Sequence, residues 1–85
     1  MKPAQREKLQ AAADMVATMR RERADDGDII AALVRRYGAI HNDRREPYTL
    51  RVAGVASSCT WSRDHGVLAN WIRTATVRLA QANMA

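Results

Sequence analysis

The sequence has 85 residues, with 14 Lys or Arg against 9 Asp or Glu, which gives a formal net charge of +5. A chain of this length can bury one hydrophobic core but not two, so we predict a single domain over residues 1–85. Its hydrophobic share of 47% excludes intrinsic disorder over most of the length. The excess of basic residues favours anionic partners, which are nucleic acids or acidic protein surfaces.

Cysteine usage and the distribution of apolar residues indicate the compartment. Cys59 is the single cysteine, so no internal disulfide can form and a reducing compartment fits best. The first ten residues contain several charges and no apolar run of the kind that forms a signal peptide. No uncharged stretch approaches the length of a membrane span. We therefore expect a cytoplasmic protein without a membrane partner.

The first predicted element is an amphipathic helix over about residues 4–23, where apolar residues recur at helical spacing. A second helix is predicted over about 28–37, with an aspartate of the preceding acidic segment as its cap. Its apolar stripe consists of Ile30, Leu33, Val34 and Tyr37. Gly38 follows this stripe and can adopt the left-handed conformation that ends a helix.

The segment after the second helix carries no apolar periodicity. Pro47 disfavours helix in the residue before it, so we predict an exposed polar loop over residues 39–46. Residues 48–61 alternate between apolar and polar side chains at their start, as in a half-buried strand. Turning at Ala53-Gly54 makes a hairpin with three facing pairs. These pairs are Val52 with Val55, Leu50 with Ser57, and Tyr48 with Cys59.

The alternative for residues 48–61 is a short helix, in which Ala53-Gly54-Val55 resembles the turn of a helix-turn-helix. A last amphipathic helix is predicted over about 63–82, with Ser62 as its N-cap. We therefore predict a mainly α fold of three amphipathic helices with a short β-hairpin, or a short helix, at 48–61. The predicted core comprises Leu9, Val16, Ile30, Leu33, Val34, Leu68, Trp71 and Ile72.

The sequence contains few residues that could act in catalysis or bind a metal ion. Cys59, His41 and His65 are the only candidates for a nucleophile and its base, and no motif supports an activated thiol. Zinc takes close pairs of cysteine or histidine ligands, which are missing here. No glycine-rich phosphate loop is present either. We therefore expect a non-enzymatic protein with no catalytic residues, no metal and no cofactor.

Arginine doublets are the feature that stands out from the background. Adjacent helical residues point about 100° apart, so each helical doublet should expose at least one guanidinium to phosphates or carboxylates. Trp61 is the more open of the two tryptophans. The predicted partner-binding residues are Arg35, Arg36, Arg44, Arg45, Arg51, Trp61 and Arg63. The alternative is a solvated face whose charges are balanced by Glu22, Asp43 and Glu46.

The C-terminal half carries a resemblance to known sequences. The run Tyr48-Thr-Leu-Arg-Val-Ala-Gly-Val-Ala-Ser-Ser-Cys-Thr, followed by Gly66-Val-Leu-Ala-Asn-Trp-Ile-Arg, resembles short open reading frames of transposable, Mu-like phages and prophages. The likeness covers about the last forty residues and contains no motif from which site residues could be transferred. It implies a phage-type accessory protein, a class rich in small binders that block or redirect host machinery, including defence systems.

Two functional hypotheses follow. The first is an inhibitor or modulator that binds a host protein or nucleoprotein complex through arginines and exposed apolar residues. The second is a helix-turn-helix-like DNA-binding regulator, which would place residues near Ser57 to Arg63 in the major groove and the doublets on phosphates. A homodimer is compatible with both. A hairpin at 48–61 favours the first hypothesis, and a helix with a turn favours the second.

Overall fold

Residues 2–84, which a computed structural model describes, form three helices and one three-stranded antiparallel sheet. The elements are α1 (Pro3–Arg21), α2 (Asp26–Tyr37), β1 (Ile40–Asn42), β2 (Tyr48–Val52), β3 (Val55–Cys59) and α3 (His65–Met84). All three predicted helices are confirmed, with ends that differ by about two residues. The predicted mainly α class is corrected to a mixed α and β fold, because the sheet has three strands and forms one wall of the core.

The ends of the first two helices follow from local backbone geometry. α1 ends at Arg21 because Arg23 adopts a left-handed conformation, with φ of 60°. α2 begins at Asp26, two residues earlier than predicted, and its N-cap Asp25 makes no side-chain capping hydrogen bond. The predicted role of Gly38 is confirmed, since this residue has φ of 65° and closes the last turn of α2.

The predicted hairpin is confirmed together with its register. Tyr48 pairs with Cys59, Leu50 with Ser57 and Val52 with Val55. Ala53 and Gly54 have φ values of 51° and 80°, the combination that a two-residue type I′ turn requires. The helix-and-turn alternative for this segment is therefore wrong.

The predicted polar loop over 39–46 is wrong for its first part. Residues 40–42 form β1, which lies antiparallel to β2 with His41 opposite Leu50. β1 is only three residues long and its one apolar side chain, Ile40, is 68% exposed. No alternation of buried and exposed residues could therefore have marked it. Residues 43–47 are the remaining loop between β1 and β2.

The core lies between the three helices and one face of the sheet. Trp71 is fully buried and belongs to a cluster that includes residues of every helix and of β2 and β3. Two of the predicted core residues need correction, because Val34 is 43% exposed and Ile72 is only half-buried. Ile29, which was not predicted, is fully buried. α2 is thus rotated so that Ile29 faces the core and Val34 faces solvent.

The start of α3 is fixed tightly against β3. Gly66 lies so close to β3 that an added Cβ would sit 2.5 Å from the Sγ of Cys59. The hydroxyl of Ser62 accepts a hydrogen bond from the Gly66 amide at 3.0 Å, but α3 begins only at His65, so Ser62 is not the residue that precedes the helix, as its predicted capping role required. Further along α3, the Asn70 amide donates to the Ser58 carbonyl at 2.8 Å. Within residues 2–84, no helix has both the length and the apolar character needed to cross a bilayer.

Candidate binding surface

The positive charge of the protein lies on its surface and is not neutralised locally. All twelve arginines are exposed, as are Lys2 and Lys8. Within residues 2–84, no arginine or lysine nitrogen lies within 4.0 Å of a carboxylate oxygen, and both short ion-pair contacts involve histidine. The predicted neighbours Glu22, Asp43 and Glu46 therefore do not pair with the arginine doublets. Arg21 donates to the Thr18 hydroxyl and Arg36 contacts the Met15 sulfur, but none of these guanidinium groups needs to break an ion pair before it meets an anionic partner.

One face of the sheet is turned away from the core and carries polar side chains. Ile40, Arg51 and Ala56 lie side by side across the three strands. Asn42, Thr49 and Ser58 form the next row on the same face, because successive residues of a strand point to opposite faces. The small side chain of Ala56 leaves space beside Arg51, and α3 borders the face along β3.

This face and α3 enclose a groove of about 760 Å³, which we call the sheet groove. Its residues are Ile40, Thr49, Leu50, Arg51, Ala56, Ser57, Ser58, Asn70, Arg73 and Thr74. Two of them are arginines and none is acidic. Four other surface grooves each include at least one carboxylate, from Asp14, Asp43, Asp64, Glu7 or Glu22. The sheet groove therefore combines positive charge with hydroxyl and amide groups and has no built-in anion.

The arginines at the end of α2 lie elsewhere, on two sides of that helix. Arg35 borders a cleft between α2 and β1 together with Asp43 and Asp64. Arg36 turns toward α1, where its Nη1 lies 3.9 Å from the Sδ of Met15. Both arginines also border a groove between α1 and α2, where Asp14 and Glu22 are among the lining residues.

The arginine doublet Arg44-Arg45 lies in the loop between β1 and β2. Arg44 and Arg45 are both exposed, and the Arg44 amide lies 3.4 Å from the Oδ1 of Asn42 on the outward sheet face. β1 separates this loop from the end of α2. Neither arginine lines the sheet groove, and the adjacent Asp43 borders the same cleft as Arg35.

Trp61 and Arg63 lie in the connection between β3 and α3. Trp61 is 73% exposed, and its ring packs edge-on to His65 with a centroid separation of 6.2 Å. His65 Nδ1 is 2.9 Å from the Oδ2 of Asp26, so this pair joins the start of α3 to the start of α2. The Arg63 carbonyl is 2.8 Å from His41 Nε2, which joins the same connection to β1. These contacts tie the connection that carries Trp61 to α2 and β1.

Cys59, His41 and His65, the residues considered for catalysis, each contact other parts of the fold. Cys59 is buried against Gly66, and each histidine contacts an aspartate and not the thiol. In the part of the chain that the structure describes, no three side chains of the His, Cys, Asp or Glu type are placed to hold a metal ion.

Sequence reasoning identified part of this surface. Arg51 belongs to the sheet groove as a predicted partner-binding residue, whereas Arg73, Asn70 and Ile40 were missed. The signal for Arg73 is its position two residues after Trp71, which puts it on the solvent side of α3. No family model matches the chain, and neither do curated proteins or solved structures.

Proposed function

We propose that the protein is a small non-enzymatic binding protein that inhibits or modulates a host protein or nucleoprotein complex, as a phage-type accessory protein would. The observation that carries this proposal is the set of exposed arginines without a carboxylate partner. Interfacial charges contribute most when they meet opposite charge on the partner, and unpaired arginines need no internal ion pair to be broken first.

Exposed apolar side chains near these arginines support the same proposal. Trp61 and Ile40 are the most exposed large hydrophobic residues outside α3. Tryptophan and arginine are enriched among the residues that dominate binding energy at protein interfaces. Trp61 contacts the ring of His65 at the start of α3 and leaves most of its own surface open to a partner.

The DNA-binding alternative depends on a helix-turn-helix within residues 48–63. That segment is a hairpin followed by a short connection, so it supplies no recognition helix. No observation therefore favours a helix-turn-helix regulator over the first hypothesis.

The test is affinity capture from a lysate of the bacterium that carries the gene, with and without nuclease. The site variant is R44E/R45E and the control is R6E/R78E. Each pair of reversals lowers the formal net charge by four, from +5 to +1. All four positions are exposed, so the thermal midpoint should move little in either variant.

The proposal predicts capture of one defined complex by the parent and by R6E/R78E, and loss of that complex with R44E/R45E. Nuclease resistance of the captured protein separates a protein partner from one held through nucleic acid. The proposal fails if the parent captures no complex, or if both variants lose it equally.

A further inference from the structure

The sheet groove differs from the other surface grooves in its chemistry. Arg51 and Arg73 enter it from two walls, one from β2 and one from α3. Thr49 and Ser58 add hydroxyls on the sheet face, and no carboxylate lies among the lining residues. Each of the other four grooves pairs its basic residues with at least one acid. An anion entering the sheet groove meets donors and no local repulsion.

We infer that the sheet groove binds the sugar-phosphate backbone of a single nucleic-acid strand. The inference rests on the proposed function and names the anionic component of the partner complex. Arginine, serine, threonine and asparagine side chains are the usual donors to phosphate oxygens. The groove has no aromatic side chain, so bases gain no stacking platform there. Contact with the backbone, independent of base sequence, is the mode that this lining supports.

The shape of the groove selects a single strand over a duplex. Its two walls are linked by a hydrogen bond, which the Asn70 amide of α3 donates to the carbonyl of Ser58 on β3. An open groove between a sheet and a helix can hold one extended chain along its length. A duplex can touch only the rim, and no helix or hairpin projects from this face to enter its grooves.

An acidic protein segment is the main competitor, and the lining argues against it. Protein interfaces have a core of desolvated apolar or aromatic anchors inside a polar rim. In the sheet groove the apolar side chains at the surface are those of Ile40 and Ala56, which lie on either side of Arg51 in one row and are not adjacent to each other. The remaining surface is polar, as at contacts with a phosphate backbone.

The experiment measures fluorescence anisotropy of a labelled single-stranded oligonucleotide of about 12 nucleotides, a length within the usual site size. The groove variant is R51E/R73E, and the matched control R6E/R78E has the same net charge. We expect at least a tenfold loss of affinity in the groove variant and less than a threefold loss in the control. The slope of log K against log salt should fall by about 1.4, because two phosphate contacts of about 0.7 each are removed.

Several results would overturn the inference. These are equal losses in the two variants, tighter binding of the duplex of the same sequence, or no binding of the single strand at low salt. If R51E/R73E unfolds, R51Q/R73Q removes the charges without reversing them and answers the same question. The proposed function has a separate readout. If the oligonucleotide does not bind but capture of the host complex still depends on Arg44 and Arg45, the groove inference fails and the proposed function stands.

Discussion

Trp71 is the largest fully buried side chain, and its truncation should destabilise the protein more than any other single core change. It has no exposed surface and belongs to one buried cluster that includes residues of all three helices and of β2 and β3. Replacing a buried tryptophan by alanine costs about 3 to 5 kcal/mol, because the cavity is filled only in part. In a domain of this size each kcal/mol lowers the thermal midpoint by roughly 4 to 8 °C. Trp71→Ala should therefore melt at least about 12 °C below the parent in circular dichroism.

A second substitution at the same position tests the effect of the buried indole N–H group. The Nε1 of Trp71 is buried and has no hydrogen-bond partner within residues 2–84. An unsatisfied buried donor costs about 1 to 3 kcal/mol. Trp71→Phe removes this donor, while the smaller ring loses roughly 1 to 2 kcal/mol of apolar burial. The two effects offset each other, so the midpoint of Trp71→Phe should lie far closer to the parent than that of Trp71→Ala.

The same melting curves can refute this reasoning. If Trp71→Ala melts like the parent, the tryptophan is not part of the core. If Trp71→Phe is as unstable as Trp71→Ala, the Nε1 group makes a stabilising contact. Its description as a buried donor without a hydrogen-bond partner would then be wrong.

Further predictions concern the glycines and the cysteine. Gly66→Ala should lower stability by about 1 to 3 kcal/mol, because the new methyl group meets the Cys59 sulfur and the start of α3 must shift. Adding Cys59→Ala should recover part of that loss in a double-mutant cycle, and additive effects would refute direct contact. Cys59→Ala alone should leave capture of the host complex within a few fold, and complete loss with an intact fold would contradict the non-enzymatic proposal. Ala53→Gly should raise the thermal midpoint, because the alanine at this position has a positive φ. Gly54→Ala should lower the midpoint for the same reason. Equal shifts in the two variants would exclude the type I′ turn.

Regular periodicity accounts for the parts of the fold that the sequence predicts well. α1, α3 and the hairpin each repeat an apolar pattern several times, and Ala53-Gly54 fixes the register of the hairpin. β1 has three residues and one apolar side chain, so it presents no period. Its existence depends on pairing with β2, which is a tertiary contact. Because β1 was not predicted, only a two-stranded hairpin was expected, and the fold was assigned to the mainly α class.

The burial error in α2 also has a physical cause. Val34 lies at the expected helical spacing from Ile30, but Ile29 lies on the adjacent side of the same stripe. Which of the two sides faces inward depends on how α2 is rotated against its neighbours. Local sequence does not determine that rotation, and in the structure it buries Ile29 and leaves Val34 at the surface.

The candidate surface was predicted for Arg51 but not as a groove. Arg51 and Arg73 are 22 residues apart and belong to different elements, so only the packing of α3 along β3 brings them to one cleft. The absence of carboxylates around that cleft is likewise a property of the folded surface and not of any local segment. Charge composition predicts an anionic partner, and the fold shows one groove in which two arginines have no carboxylate among the lining residues.

The central claim is that unpaired surface arginines carry partner binding. Its most direct test is the affinity of the parent and of R44E/R45E for the purified captured complex over a series of salt concentrations. We predict that the reversal abolishes binding while the thermal midpoint barely moves. The affinity of the parent should fall steeply with salt if the complex presents nucleic acid, and less steeply if it presents protein. Normal binding of R44E/R45E at every salt concentration would show that these arginines are a solvated surface and would contradict the claim.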